Sequence, residues 1–514
     1  MSSVEHIHIF AVVPTRSNAV LPPRNSTALP RRMAAAVQAH AGWRMAVGCP
    51  RRPPRPPAPA RRLTPVACRV SETNEGDDRR KTVPSSGKTT GAAPSVASVA
   101  LIVAGTSIGS GVVSLPGHTA ALGVPLSTAA LFAAWCLDFV GVLLVAELAC
   151  AFHARAMEDA QAGCSPPPPT FADLVRDAAG EPAARAFTAG LHGLTYALLV
   201  CCVAGLARWG AANLGAPYSV GVLGACTAAF AVATGRVPFR FADAANRALV
   251  AACLVALAAA AAPLLVGGGA GSQGLVHSYA TVPPRPLEAA APALPLAVLT
   301  FGFHIVTPYA VGLLRGDVRR AVAALAAGGA VPLLLGSAWN AAALVIVETR
   351  TGLGVGAPKE ALDALRNPEA LFAALGAGFA DSAAPQLFLL GALGSTLVAY
   401  ALAFPLQLLR REASASSSTE ENKEGKDASA ASNAQALLAL VPPAVLALAV
   451  PSAFDLALRV GGNFVNGALF GLAPPVLAHL SRAKFPDSRR LVPGGDATLV
   501  AVFAASLAVM LAGA

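Results

Sequence analysis

The chain has 514 residues, of which 55% are hydrophobic and only 13% are charged, and its formal net charge is +10. A soluble protein would carry about twice that charged fraction, so the composition excludes an ordinary soluble enzyme or binding domain. The basic residues lie in an N-terminal tail and in short loops between apolar runs, which indicates targeting and membrane topology rather than nucleic-acid binding. The nine cysteines have no disulfide or metal-ligand spacing and are typical of small packing residues.

Residues 1–70 differ in composition from the rest of the chain. They hold eleven arginines, no lysine and one acidic residue, Glu5. They lack the apolar core of a secretory signal and resemble an organelle transit peptide, with Val66-Ala67-Cys68 similar to a plastid processing site. We therefore expect a transit segment at 1–70 and a polar linker at 71–94. We expect the protein to be located in the plastid inner envelope. The alternative is a disordered basic arm on a protein of a mitochondrial or other cellular membrane.

Long apolar runs recur between residues 95 and 513, and they predict an all-α membrane domain with about eleven transmembrane helices. The predicted spans are 95–121, 125–150, 186–210, 215–234, 244–266, 292–314, 321–347, 384–409, 434–451, 457–480 and 494–513. A segment rich in Ser, Glu and Lys at 411–433 predicts a disordered loop. With the N-terminus inside, the inner loops carry seventeen basic residues and the outer loops six, which is a positive-inside distribution.

Two of these spans carry helix-breaking sequences. Span one contains Gly105-Thr106-Ser107-Ile108-Gly109-Ser110-Gly111 before Pro116, and span six contains Phe301-Gly302-Phe303-His304 before Pro308. Glycine and proline weaken a helix, and the freed backbone groups need partners inside a bilayer. Spans one and six hold corresponding places in a five-plus-five inverted repeat, where paired breaks indicate a substrate site. For Gly105 and Gly109 the alternative is a GxxxG packing face.

The sequence around the candidate motifs argues against nucleotide binding, catalysis and metal binding. The glycine run follows no predicted strand, so it is not a nucleotide-binding loop. No nucleophile motif or cluster of metal ligands is present in the sequence, so we expect no enzyme activity, no metal and no cofactor.

The motifs resemble those of a known family. The run from Gly105 to Pro116 is similar to the first-helix motif of the tryptophan/tyrosine permeases, and Phe301-Gly302-Phe303-His304 with Pro308 resembles their sixth helix. Gly316-Asp317 with Arg319, then Val331-Pro332-Leu333 and Trp339, resembles the following loop and seventh helix, and Leu469-Phe470-Gly471-Leu472-Ala473-Pro474-Pro475 the tenth. Glu147 matches a family acid in helix two. The resemblance covers roughly 95–513.

The resemblance implies a LeuT-type fold and secondary active transport of an aromatic amino acid, coupled to protons; plastid members are described as tyrosine-specific. Backbone amides of 107–111 would hold the substrate carboxylate, and carbonyls near 105 and 301–304 would accept from its ammonium. The substrate-binding candidates are Gly105, Thr106, Ser107, Gly109, Ser110, Gly111, Phe301, Gly302, Phe303 and His304. One departure, Phe404-Pro405-Leu406-Gln407 in place of a family acid, puts details of coupling or substrate choice in doubt.

The candidates for ion coupling are Glu147, His304, Ser395 and Thr396. Glu147 could carry protons or pair structurally with a neighbouring helix, and Asp138 in the same span has the same ambiguity. His304 could contact substrate or respond to a proton, or it could simply hold the break open. Ser395 and Thr396 could line a cation site or pack as ordinary helix residues.

The expected partners are an amino acid, protons and the lipid membrane, with no nucleic acid. The alternatives in function are a permease for another neutral amino acid and an amino acid sensor that does not transport.

Overall fold

The structure is a computed structural model that describes residues 95–105, 109–159, 168–265, 283, 286–291, 293–376, 383–415, 426–450 and 452–512. These residues form helices and loops, with no strand among them, and all lie in one compact unit, 87–514. The predicted transit segment at 1–70 and linker at 71–94 lie outside the described residues and stay predictions.

The first half of the described chain forms seven helices. They are α1 (Val96–Gly105), α2 (Ser110–Thr119), α3 (Gly123–Asp159), α4 (Phe171–Ala179), α5 (Glu181–Leu214), α6 (Tyr218–Ala233) and α7 (Phe239–Leu265), with a short 3₁₀ turn at Ala120–Leu122. A capping box starts α4, since the Thr170 hydroxyl accepts from the amide of Asp173 and the Asp173 carboxylate accepts from the amide of Thr170. Gly215, in the left-handed region at φ 64°, ends α5.

The second half holds the remaining helices. They are α8 (Pro286–Ala290), α9 (Leu294–Thr300), α10 (Thr307–Leu313), α11 (Val318–Thr351), α12 (Lys359–Ala364), α13 (Pro368–Leu375), α14 (Ala383–Ala415), α15 (Lys426–Ala449), α16 (Ala453–Arg459), α17 (Ala473–Lys484) and α18 (Gly495–Ala512). A 3₁₀ turn at Phe303–Val306 links α9 to α10, and a π-helix at Val460–Leu472 joins α16 to α17. The π-helix was not predicted, and helices of this kind are rare and are frequently found at functional sites.

Every predicted span overlaps one of these helices. Eight helical stretches are long and apolar enough to cross a membrane, and three shorter apolar helices, Val96–Gly105, Tyr218–Ala233 and Asn433–Ala449, coincide with parts of predicted spans one, four and nine. The all-α membrane architecture is therefore confirmed, whereas the count of eleven stays a prediction. Helices α14 and α15 also extend into both ends of the predicted disordered loop, so only 416–425 lie outside the described part of it.

Contacts between loops agree with the alternation of sides expected from the charges. On the side that the charge pattern assigns to the interior, Arg155 in the last turns of α3 forms a salt bridge with Asp177 of α4, and its guanidinium lies 3.5 Å from the centre of the ring of Phe485 after α17. Lys484 donates to the carbonyl of Asp177 at 2.7 Å. These three segments belong to loops that the charge pattern assigns to the same side.

The loop between α11 and α14, which the charge pattern assigns to the outer side, packs against the end of α2. A methyl group on Gly117 of α2 would overlap the backbone carbonyl of Leu365, which follows α12. Only a residue without a side chain allows two backbones to approach so closely. Helix α2 and this loop are therefore in direct backbone contact.

A buried polar network ties α2 to the helices behind it. The Thr119 hydroxyl donates to Asn340 Oδ1 of α11 at 2.7 Å, and Asn340 Nδ2 donates to the Ser127 hydroxyl of α3 at 2.9 Å. All three side chains are at least nine-tenths buried. The network positions the second half of span one against two continuous helices.

Candidate functional site

Span one is interrupted at the predicted position. Helix α1 ends at Gly105 and α2 begins at Ser110, and the described residue between them, Gly109, is not helical. Gly109 is extended, with φ −164° and ψ −157°, and no described side chain caps the start of α2. The first amides of a helix have no partner within the helix, so they are available to an anionic group. Thr106 and Ser107 lie outside the described residues.

Span six is interrupted in the same way. Helix α9 ends at Thr300, and the Phe303 amide donates to the Phe301 carbonyl at 2.7 Å across Gly302, whose φ of −68° and ψ of 54° are those of an inverse γ-turn. Pro308 occupies the first turn of α10, where its missing amide costs no hydrogen bond. Phe301, Phe303 and His304 are each fully buried.

The two breaks meet. A methyl group added to Gly111 in α2 would lie 2.9 Å from the Thr300 hydroxyl and 3.3 Å from the Thr300 Cα at the end of α9. The N-terminus of α2, which is the positive end of its helix dipole, therefore faces the C-terminus of α9, which is the negative end of its dipole. Such an arrangement suits a ligand that carries both a carboxylate and an ammonium group.

Helix α14 closes a third side of this region. A methyl group on Gly109 would lie 3.0 Å from the Thr396 hydroxyl. The hydroxyls of Ser395 and Thr396 both donate to the Ala392 carbonyl in their own helix, at 3.2 and 2.8 Å. Thr396 is therefore next to the break in span one, while its helix-internal bond is also what ordinary packing would produce.

Gly105 differs from Gly109. Among the residues that the structure describes, no atom lies within 4 Å of the position that a methyl group on Gly105 would occupy. A GxxxG packing face needs a partner helix against both glycines. The contacts therefore do not fit the packing alternative at Gly105.

His304 lies behind the break in span six. A methyl group on Gly141 of α3 would lie 2.6 Å from His304 Nε2, and the ring of Phe470 from the π-helix stacks on the imidazole at 5.2 Å between centroids. The backbone of Asp138 is close to the ring, yet no described group has hydrogen-bond geometry with either ring nitrogen. His304 therefore faces α3 and the π-helix.

Glu147 is not part of this region. Its carboxylate accepts from Arg482 of α17 at 2.6 and 2.9 Å, and from the amide of Leu491 at 2.8 Å. The two side chains are 4% and 6% exposed, so the pair is buried. This bidentate salt bridge joins α3 to the end of α17, and the bond from Leu491 joins α3 to the loop that follows α17.

The sequence analysis missed three residues that the structure brings to these places. Thr300 faces Gly111, Asn466 of the π-helix faces Gly302, and Arg482 pairs with Glu147. Arg482 had a usable signal, because an arginine near the end of a span needs an acidic partner. Thr300 and Asn466 had none, because polar residues in helices are common and only the fold shows what they face.

Comparison with known proteins settles the class of this molecule. The sequence profile of the tryptophan/tyrosine permease family matches residues 92–513. The chain belongs to the tryptophan/tyrosine permease family. It is therefore an integral membrane transporter of amino acids and not an enzyme.

The permease is also similar to a solved structure. A crystal structure of a manganese transporter from Eremococcus coleocola, in complex with an aromatic bis-isothiourea substituted compound, has a TM-score of 0.47 and 15% sequence identity, covering 81% of this chain and 85% of that chain. No curated protein sequence matches the permease.

Proposed function

We propose that this permease is a proton-coupled symporter of aromatic amino acids that binds its substrate between the two helix breaks. The observation that carries the proposal is the contact between the two broken spans, with Gly111 against Thr300, while α14 adds a third side with Thr396 against Gly109. The amides of 107–111 would hold the substrate carboxylate, and carbonyls near 105 and 301–304 would accept from its ammonium group.

The proposal includes an arrangement of two inverted five-helix repeats. Its support is positional, because the interrupted spans are the first and the sixth and they touch one another. Paired broken helices at a repeat interface are the usual place for a substrate in transporters built this way.

In this proposal Glu147 has a structural role: it pairs with a neighbouring helix and does not carry protons. The carboxylate accepts two bonds from Arg482 and one from a backbone amide, which is the geometry of a bidentate ion pair joining two helices. A proton carrier must lose its charge during each cycle, which this pairing opposes.

The proposed location is the plastid inner envelope, with residues 1–70 removed after import. The support is the arginine-rich composition of residues 1–70, whose one acid is Glu5, and the family match that starts only at residue 92.

Uptake into liposomes that contain the purified permease tests the proposed function. We expect accumulation of labelled tyrosine or tryptophan when the outside is acidic, and its loss when a protonophore removes the pH gradient. Unlabelled aromatic amino acids should compete and leucine should compete poorly. Binding without any flux would instead favour the sensor, and equal competition by leucine would favour a general neutral amino acid permease.

A further inference from the structure

A second polar site lies behind the substrate region, between α3, α9, the π-helix and α18. A narrow cleft there is lined by Asp138 from α3, Asn463 from the π-helix and Ser506 from α18, among apolar and glycine residues. Asp138 is 3% exposed, and its Oδ2 atom has no hydrogen-bond partner among the described residues. A carboxylate in this position is the feature that needs an explanation.

We propose that Asp138 is the residue that binds the coupled proton, an inference that rests on the proposed proton symport. The carboxylate takes one proton from water on one side of the membrane and becomes a neutral carboxylic acid. It returns the same proton to water on the other side, so no other bond is made or broken.

The charges around Asp138 support the protonated form in this conformation. Burying an ionised carboxylate costs several kcal/mol of free energy unless a cation or several hydrogen-bond donors face it. The backbone of Asp138 is close to the His304 ring, and Asn463 and Ser506, which line the cleft with the Asp138 carboxylate, are uncharged. Several charged side chains elsewhere on these elements and on neighbouring helices are paired with one another: Glu147 with Arg482, Arg459 with Asp455, and Asp496 with His479.

The position of His304 connects this site to the substrate. Asp138 and Gly141 are three residues apart and share one face of α3, and His304 Nε2 packs against Gly141. His304 belongs to the 3₁₀ turn that follows the break at Gly302. A change of charge at Asp138 therefore acts directly on the segment that forms one wall of the proposed substrate site.

Asn466 adds a second connection. Its Nδ2 atom has no described hydrogen-bond partner and it is 1% exposed, while its Oδ1 atom would lie 3.5 Å from a methyl group on Gly302. It belongs to the same π-helix as Asn463 and Phe470, which line the cleft. The π-helix thus contacts both the break in span six and the proton site.

The test compares proton-driven accumulation with exchange in liposomes. With one proton per substrate, the wild type should reach about tenfold accumulation for each unit of pH difference, because a tenfold ratio corresponds to about 1.4 kcal/mol. Asp138→Asn should accumulate no substrate above the outside concentration and yet retain exchange of labelled for unlabelled substrate. Asp138→Glu, which keeps the carboxyl group, should retain part of the accumulation. The exposed pair member Asp243, changed to Asn, serves as the matched control.

A measurement on the wild type covers the case in which Asp138→Asn does not fold. Dicyclohexylcarbodiimide modifies carboxylic acids that are protonated in apolar surroundings, and mass spectrometry should find it on Asp138 and not on Glu147. Full proton-driven accumulation by folded Asp138→Asn, or labelling of Glu147 with Asp138 unmodified, would overturn the proposal. Wild-type transport that ignores the pH gradient would instead remove the proposed proton symport, and this inference with it.

Discussion

At the scale of single residues, the pair of Glu147 and Arg482 gives the clearest expectation for stability. Glu147→Gln leaves the buried Arg482 without its charge partner, and removing one member of a buried pair costs about 3–5 kcal/mol. We expect the melting temperature of the purified protein to fall markedly. Asp243→Asn, which breaks an exposed pair with Arg247, should change it little.

A double variant separates the pair from other effects of the substitution. Glu147→Gln combined with Arg482→Gln should be more stable than Glu147→Gln alone, because the uncompensated charge is then gone. Wild-type melting of Glu147→Gln would contradict the structural role. Loss of proton-driven accumulation in a well-folded Glu147→Gln would restore the proton-carrier alternative.

Gly109 gives the expectation for binding. Even a methyl group there would lie 3.0 Å from the Thr396 hydroxyl, so the branched side chain of Gly109→Val must displace α14 or fill the break. We expect substrate binding to be abolished, as measured on folded protein by scintillation proximity. Gly224→Val is the control, since Gly224 is a helical glycine with open space around it. Normal affinity in well-folded Gly109→Val would remove the break in span one from the site.

At the scale of helices, the contact between α2 and α9 can be tested with a pair of substitutions. Gly111→Ala places a methyl group 2.9 Å from the Thr300 hydroxyl, and the backbone of Thr300 at 3.3 Å prevents simple relief. We expect the dissociation constant for substrate to rise by about tenfold or more, which corresponds to a loss of about 1.4 kcal/mol.

Thr300→Ala removes the hydroxyl that the new methyl group meets. The double variant Gly111→Ala, Thr300→Ala should therefore recover part of the lost affinity, while Gly224→Ala should leave affinity unchanged. If the two losses simply add, the helices do not meet at these residues in the substrate-bound state.

The same scale shows what the sequence could and could not predict. The breaks at Gly109 and Gly302 were predictable because glycine and proline act locally on a helix. The π-helix at Val460–Leu472 was not, since its glycines and asparagines have no fixed pattern and its extra width depends on packing against α9 and α18. The partner of Glu147 lies 335 residues away along the chain, so its carboxylate could not be assigned from the sequence alone.

At the scale of the whole molecule, the chain divides into a tail and a transporter. Residues 1–70 have the composition of a removable targeting segment, and the family match begins at residue 92. N-terminal sequencing of the protein isolated from its native membrane should therefore give a first residue between about 60 and 95, where the composition changes. An intact Met1 on the native protein would contradict this prediction.

The charge distribution also predicts the topology of the membrane domain, which stays a prediction and with which the contacts between loops are consistent. Arg155, Asp177 and Lys484 meet on the side that the positive-inside distribution assigns to the interior. The location of the second polar site was not accessible, because it needs α3, the π-helix and α18 to be brought together. The sequence showed that Asp138 lies inside a span, where a charged side chain costs free energy, but it did not show which residues surround the side chain.

The backbone contact between Gly117 and Leu365 has a consequence for how the molecule moves. Two backbone segments that touch without an intervening side chain cannot slide past each other without first separating. The reason is that packed protein interiors change between discrete arrangements. A rotation of α2 must therefore drag the segment after α12 with it. Motion at the break in span one is therefore expected to shift this loop and to be open to obstruction at the loop, on the side of the membrane that the charge pattern assigns to the outside.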